Sequence, residues 1–288
     1  MLSVVLLQKI ITTMTTDKTF LFALLFCAFF ISCSNGNNGA GPDGTDNGGV
    51  FVDEFETFDS SSWTKETHEA GWVNQELQSY HPSFVRVGKD GDKSVLIISA
   101  ERRNGKIISG RVNSKGKKSF KYGRVEASIK LPATANGLWP AFWFMGDNDK
   151  PWPSCGEIDL MEMGDADGIA SGETERRVNT AIHFGEDQAS HHQEYYAASV
   201  SDSLQDGEYH TYAMDWSQEE IKVSIDGVHF KSFDISANPY FHDNFYVLFN
   251  LAVGGAFTGI TDMAGITAIN EGEKVSMYVD WIKIISNN

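Results

Sequence analysis

Glu157-Ile158-Asp159-Leu160-Met161-Glu162 sets three carboxylates in a segment whose other positions are apolar, an odd composition for what otherwise reads as a buried strand. Side chains alternate along a regular strand, so Glu157 and Asp159 share one face while Glu162 falls on the other. One extra residue reverses that outcome. A β-bulge at Leu160 or Met161 shifts the parity and returns Glu162 to the face of the other two acids, and bulges occur beside active sites where a side chain must be re-aimed. Close carboxyls removed from water oppose joint ionisation, so one of them should keep its proton near neutral pH. A protonated acid beside an ionised one is the pair that glycoside hydrolysis requires. Taken alone, the hexapeptide also admits a plain alternative, an acidic strand on a solvated face.

The neighbours favour the chemical reading. Gly137-Leu138-Trp139-Pro140-Ala141-Phe142-Trp143-Phe144 lies upstream and Thr180-Ala181-Ile182-His183-Phe184 downstream. Flat aromatic rings near paired acids suit sugar rings, which present apolar C–H faces and polar edges. Trp139 and Trp143 are four apart and share a face in a strand, while Trp63, Trp152, Trp216 and Trp281 are expected as core residues. His183 has no His or Cys at the spacing of a metal site and is expected to pack or to contact substrate. His191 and His192 point to opposite faces if extended and are poorly placed to share an ion.

The rest of the chain reads as one all-β domain. Short alternating segments separated by turn residues are the pattern of a sandwich or barrel. Ser94–Ala100 is one such strand. In Arg124–Leu131 the apolar Val125, Ala127, Ile129 and Leu131 alternate with polar residues, so one face is buried and the other wet. Val178–Phe184 and His210–Trp216 follow, then Glu220–Ile225 runs through Asp226-Gly227 into Val228–Phe230, a strong hairpin signal. Phe245–Val253 and Lys274–Ile285 close the series, and Ala264–Ile269 is expected as a short helical turn. The Gly/Asp-rich stretches 88–92 and 164–168 do not fit an EF-hand and are expected as ordinary turns.

With 288 residues, 41% apolar and 22% charged, the composition is globular, and a formal net charge of −16 without a basic cluster argues against nucleic acid as a partner. The acidic balance also favours neutral over sulphated or uronate polymers. At the start, Lys18 precedes the apolar run Phe20–Ile31, which ends in Ser32-Cys33-Ser34, the shape of a signal peptide. Residues 1–33 are therefore read as a signal with a lipoprotein-type end at Cys33, Met14 offering an alternative start. Residues 34–49 are read as a flexible Gly/Asn-rich tether and residues 50–288 as a single catalytic domain. The expected location is the cell surface, as an outer-membrane lipoprotein anchored through Cys33, or otherwise secretion, and the expected state is a monomer. Cys155 is then the domain's lone cysteine, read as a packing residue.

Glu157-Ile158-Asp159-Leu160-Met161-Glu162 resembles the ExDxxE signature of glycoside hydrolase family 16, in the bulged form of its laminarinase-like members. Four further stretches resemble the family in the same order: Trp72–Tyr80, Tyr122–Ala127, Gly137–Trp143 and Asn250–Gly255. The closing strand, Val279–Ile284, also resembles the family's. The resemblance implies a β-jelly-roll of two curved antiparallel sheets with an open concave cleft, and retaining, endo-acting hydrolysis of a polysaccharide. It implies Glu157 as nucleophile, Glu162 as acid/base and Asp159 as their assisting partner, with Asn74, Glu76, Arg111, Trp139, Trp143 and His183 contacting sugars. It implies no cofactor for the chemistry, and a structural calcium on the convex side held by the Asp280 side chain and backbone carbonyls near Glu54 and Gly91. Two stretches depart from it: His81-Pro82 follows Tyr80, and Ala256-Phe257-Thr258-Gly259 replaces the usual turn after Gly-Gly. Within the family's range the expected substrate is β-1,3-glucan, with mixed-linkage glucan second. A galactan of the agar, porphyran or carrageenan type is the alternative, and a glycan-binding lipoprotein without catalysis is the reading from another class.

Overall fold

The apolar segments pair into two layered sheets in the computed structural model, which describes residues 49–287. The expected signal and its Cys33, with nearly all of the expected tether, lie outside the described residues. The first sheet runs in the order Val228–Asp234, Glu220–Ile225, His210–Trp216, Gly123–Lys130, Lys274–Ile285, Lys93–Arg103, Lys106–Ser109 and Gln78–Tyr80. Val50–Asp53 and Val85–Asp90 pair onto its Lys274–Ile285 and Lys93–Arg103 strands. The second sheet runs in the order His192–Ser199, Arg177–Phe184, Glu157–Met163, Leu138–Gly146, Phe245–Val253, Arg111–Asn113 and Thr64–Lys65, with Ser119–Phe120 added to Phe245–Val253. The neighbours are antiparallel except Gln78–Tyr80 on Lys106–Ser109. This is the jelly-roll expected from the sequence.

The strand patterns explain the layering. In Gly123–Lys130 the inward Val125, Ala127 and Ile129 are fully buried while Arg124, Glu126 and Lys130 are not. Phe245–Val253 is buried at every position because both its faces are covered. Phe245, Val247, Phe249, Leu251 and Val253 enter the core between the sheets. On the opposite face Tyr246 and Leu248 pack with Ala141 and Trp143 of the adjacent strand. Phe249 stacks on Phe142 with ring centroids 4.7 Å apart and also meets Trp63 at 6.0 Å, tying an N-terminal segment to the centre of the second sheet.

The expected strands and the Asp226-Gly227 hairpin are present. The helix is not where it was expected. Ala264–Ile269 forms turns, because the Asp262 carboxylate accepts the Ala264 and Gly265 amides and closes the backbone locally. The one α-helix among the described residues is Ala166–Ser171, which begins inside the 164–168 stretch expected as a turn and runs beyond it; Gly172 closes it in the left-handed conformation. Trp63 and Trp216 are core residues as expected, whereas Trp281 is half-buried and Trp152 belongs to the acidic site.

Because Phe249 is fully buried and lies against two other aromatic rings, Phe249→Ala is expected to lower the unfolding free energy by about 3–5 kcal/mol. Denaturant unfolding checks this, and a loss below about 1 kcal/mol would contradict the packing described.

Candidate active site

The acidic strand carries the bulge that its sequence demands. Against the Leu138–Gly146 strand, Phe142 pairs with Met161 and Trp143 with Asp159, which leaves Leu160 as the extra residue. On the other side Asp159 faces Ala181 and Glu162 faces Asn179, so Leu160 and Met161 together oppose Thr180. Both enter the core, fully buried, beside Ile158 and Met163. Glu162 thereby rejoins Glu157 and Asp159 on the outer face. Glycines bracket this strand for steric reasons: at Gly156 and Gly164, both at positive φ, a Cβ would overlap the carbonyl oxygens of Tyr240 and Leu138 respectively.

Each glutamate is held by an indole. Trp152 Nε1 donates to Glu157 Oε2 at 3.1 Å, and Trp139 Nε1 donates to Glu162 Oε1 at 2.8 Å. His183, directly across the strand pair from Glu157, sets its Nε2 3.1 Å from Asp159 Oδ2 and 3.9 Å from Glu157 Oε1. Burial first, and Asp159 second, push the Glu157 carboxyl up to about 8 against the pull of His183, Arg111 and the Trp152 N–H. Burial likewise raises Asp159 to about 8. Burial first, and Asp159 second, raise Glu162 well above the ordinary glutamate value, against which Trp139 and His183 act. The three cannot all ionise together. Glu157 has more groups favouring its anion than Glu162, so of the two glutamates Glu157 loses its proton more readily and Glu162 keeps its own.

Beyond the two tryptophans the same face continues to a buried polar cluster. Arg111 Nε donates to Glu66 Oε2 at 3.0 Å, and its guanidinium lies over the rings of Trp143 at 4.7 Å and Trp72 at 5.3 Å. Burial opposes ionisation of Glu66, but Arg111, Asn113 and His68 outweigh it and hold its carboxyl below the usual range. Glu76 is buried and accepts from Gln78 Nε2 at 2.6 Å, Tyr80 Oη at 3.0 Å and Asn74 Nδ2 at 3.3 Å. Asn74 holds a left-handed backbone, and its carbonyl accepts the Ala256 amide, so the departing turn after Gly254-Gly255 is docked against it.

The structure thus brings the predicted residues onto one face, but the expected stacking surfaces are largely covered. Trp139 and Trp143 are each 8% exposed, with Phe257 stacked on the first at 4.6 Å and Arg111 over the second. The exposed indole is Trp72, at 47%, its other face stacked on His68 at 3.4 Å. Trp72 lay inside a quoted motif and was not singled out. Trp152, taken from sequence as core, is a ligand of Glu157. Glu66 was not singled out in the sequence and His191 only as one of an adjacent pair, since each acts through partners that the fold brings to it.

One atom from each of Glu157, Asp159 and His183 lies within 4.8 Å of the others, a spread that a cation can bridge. Burial favours the protonated form of both carboxyls, which opposes ligation, and no ion is assigned to the cluster. On the convex side Asp280, the side-chain ligand of the calcium that the resemblance implies, sets its Oδ2 2.5 Å from Lys93 Nζ. Cys155 is buried, and burial pushes its thiol up to about 11, which leaves it a packing residue.

A family model described as Glycosyl hydrolases family 16 matches residues 75–282. Among solved structures, the chain is 65% identical to a Bacteroides ovatus mixed linkage glucan GH16 protein in complex with a G4G4G3G product, with a TM-score of 0.81 over 82% of this chain and 99% of that one. Among curated proteins, it is 30% identical to the clotting factor G alpha subunit of Tachypleus tridentatus over 82% of this chain. It is 32% identical to glucan endo-1,3-beta-glucosidase A1 of Niallia circulans, also over 82% of this chain. The chain spans 33% and 37% of the lengths of these two curated relatives.

The raised Glu157 carboxyl has a consequence for stability. A carboxyl whose folded value lies above its unfolded value, here about 8 against 4.5, favours the folded state fully below the lower value and loses that contribution as pH rises through the higher one. Glu157→Gln, which stays neutral, should therefore melt several degrees above the unsubstituted protein at about pH 9 and close to it at about pH 5. Thermal unfolding at both pH values checks this; an equal shift at both would refute the electrostatic cause.

Proposed function

The chain belongs to glycosyl hydrolases family 16, and from that membership and the acidic strand we propose that it is a retaining endo-hydrolase of β-glucan. It cleaves β-1,3-glucosidic bonds, in polymers of the laminarin type and in mixed-linkage glucan. The observation that carries this reading is the bulge at Leu160, which gathers Glu157, Asp159 and Glu162 on one face.

In the proposed reaction the Glu157 carboxylate attacks the anomeric carbon while Glu162 gives its proton to the departing glycosidic oxygen. The covalent glycosyl–enzyme is then hydrolysed by a water that Glu162, now a base, deprotonates. Trp152, His183 and Arg111 favour the anionic form that Glu157 needs for attack, and burial beside Asp159 favours the protonated form that Glu162 needs first. Asp159 sits between them in sequence and adjusts both. Two carboxyls carry this chemistry without a cofactor. Asn74, Glu76, Arg111 and Trp72 form the part of the face that reads the sugar chain. The 65% identity to a protein crystallised with a mixed-linkage glucan product supports glucan over galactan as substrate.

Product analysis on laminarin, mixed-linkage β-glucan, agarose and carrageenan tests the substrate: soluble oligosaccharides are expected from the first two, and release from a galactan alone would overturn the choice. A 2-fluoro β-glucosyl substrate with a good leaving group should add one glycosyl mass to the Glu157 peptide. Glu157→Ala should lower kcat by about 10⁴-fold or more, the scale of losing a catalytic nucleophile. Label on another residue, or undiminished turnover in the variant, would overturn the assignment.

We further propose that the domain is exported and tethered through a lipid on Cys33, which the apolar run Phe20–Ile31 before Ser32-Cys33 supports. Cys33→Ala should move the protein from the membrane fraction to the soluble fraction of expressing cells. Equal membrane retention of the variant would count against the anchor.

A further inference from the structure

His191 has no part in the proposed reaction, yet it contacts two of the groups that hold the acids. Its Nε2 lies 2.9 Å from Nδ1 of His183, the ring nitrogen turned away from the acids. The two imidazole planes differ by 4°, with centroids 5.1 Å apart, so the rings meet edge to edge in one plane, as a nitrogen-to-nitrogen hydrogen bond requires. His191 also packs on Trp152 at 4.7 Å, the indole that donates to Glu157.

The loop that presents His191 is held in shape. His191 follows the short helical turn Gln188–Ser190, whose start is closed by a reciprocal cap: the Asp187 carboxylate accepts the Ala189 and Ser190 amides, and Ser190 Oγ accepts the Asp187 amide. Gly185 lies so near this turn that a Cβ there would overlap the Ser190 carbonyl oxygen and crowd the His191 Cα. The imidazole is thus brought to His183 by backbone and not by a flexible chain.

We propose that His191 is a positioning residue of the hydrolase: its hydrogen bond to His183 Nδ1 fixes that ring's orientation, so that Nε2 is kept against Asp159 and Glu157. A ring without that bond is free to flip, presenting the acids alternately with Nε2 and with a carbon edge. With Nδ1 engaged, Nε2 offers the acids one fixed partner, and the sharing of protons between Asp159 and Glu157 is set before substrate arrives. His191 touches neither acid, so its effect belongs in turnover and not in glycan affinity.

This inference rests on the glycosidase reading above, and its test separates the two. Wild type, H191A and H191Q are compared in kcat and KM on the β-glucan, and in long-range proton–nitrogen correlation spectra of the histidine side chains. Glutamine can set either an N–H or an oxygen where His191 Nε2 stands, so it restores the bond for either His183 tautomer. H191A should lower kcat about tenfold, the scale of a lost orienting contact, with KM unchanged within about twofold. H191Q should recover most of that loss. His183 should give one sharp set of side-chain signals in wild type and H191Q and exchange-broadened signals in H191A, where the ring is free to flip. Should H191A not fold, H191N, whose amide falls short of Nδ1, takes its place. Unchanged kcat in the alanine or asparagine variant, or equally sharp His183 signals without the bond, would overturn the proposal. A wild type that cleaves no glycan defeats the glycosidase reading instead, and the His183 line shapes still decide whether His191 positions that ring.

Discussion

Leu160 has no partner in the strand beside it, and the site depends on that. A strand built without the extra residue would present Glu162 to the core, where a carboxyl without polar neighbours is costly, and leave Glu157 and Asp159 without an acid beside them. The bulge is stabilised because both residues that straddle it, Leu160 and Met161, are buried in the main core, while Thr180 Oγ donates to the Asp159 carbonyl at 2.7 Å where the ladder is interrupted. The backbone defect and the apolar side chains on either side of it therefore serve the same end.

Gathering three acids has an electrostatic cost that the surroundings only partly offset. Single donors reach each glutamate, Trp152 for Glu157 and Trp139 for Glu162, and one imidazole serves the middle of the set. These partners are enough to set an order of ionisation but too few to return the carboxyls to ordinary values. That partial compensation is functional: full pairing with cations would have given three stable carboxylates and no proton donor. Stability at alkaline pH is the quantity sacrificed.

Aromatic residues do two kinds of work on this face. Trp139 and Trp152 act as rigid N–H donors to the acids, and Phe257 and His191 pack against them from outside. Trp72 instead leaves nearly half of its surface open, close to Arg111, and is the platform suited to a sugar ring. The turn Ala256–Gly259 supplies Phe257, so it bears on Glu162 through Trp139.

Much of this was legible in the residues themselves. Period-two alternation in Arg124–Leu131 and the unbroken apolar run Phe245–Val253 announced a layered β protein, because the side-chain repeat of a strand is a local property. The bulge was legible as well, since three acids at that spacing can share a face only if one residue drops out of register. What the chain order could not reveal is which groups surround the acids. Trp152 looked like core filling, His191 like one of an idle pair, Glu66 like nothing in particular, and the start of the helix at 166–168 like a turn. Packing gives the first three their roles: Trp152 and His191 share an edge only because two strands and a loop converge, and Glu66 matters because Arg111 comes to lie beside it. Covalent spacing thus determined the fold and the identity of the acids, while proton placement among them was decided by burial and by neighbours that only the packed sheets bring together.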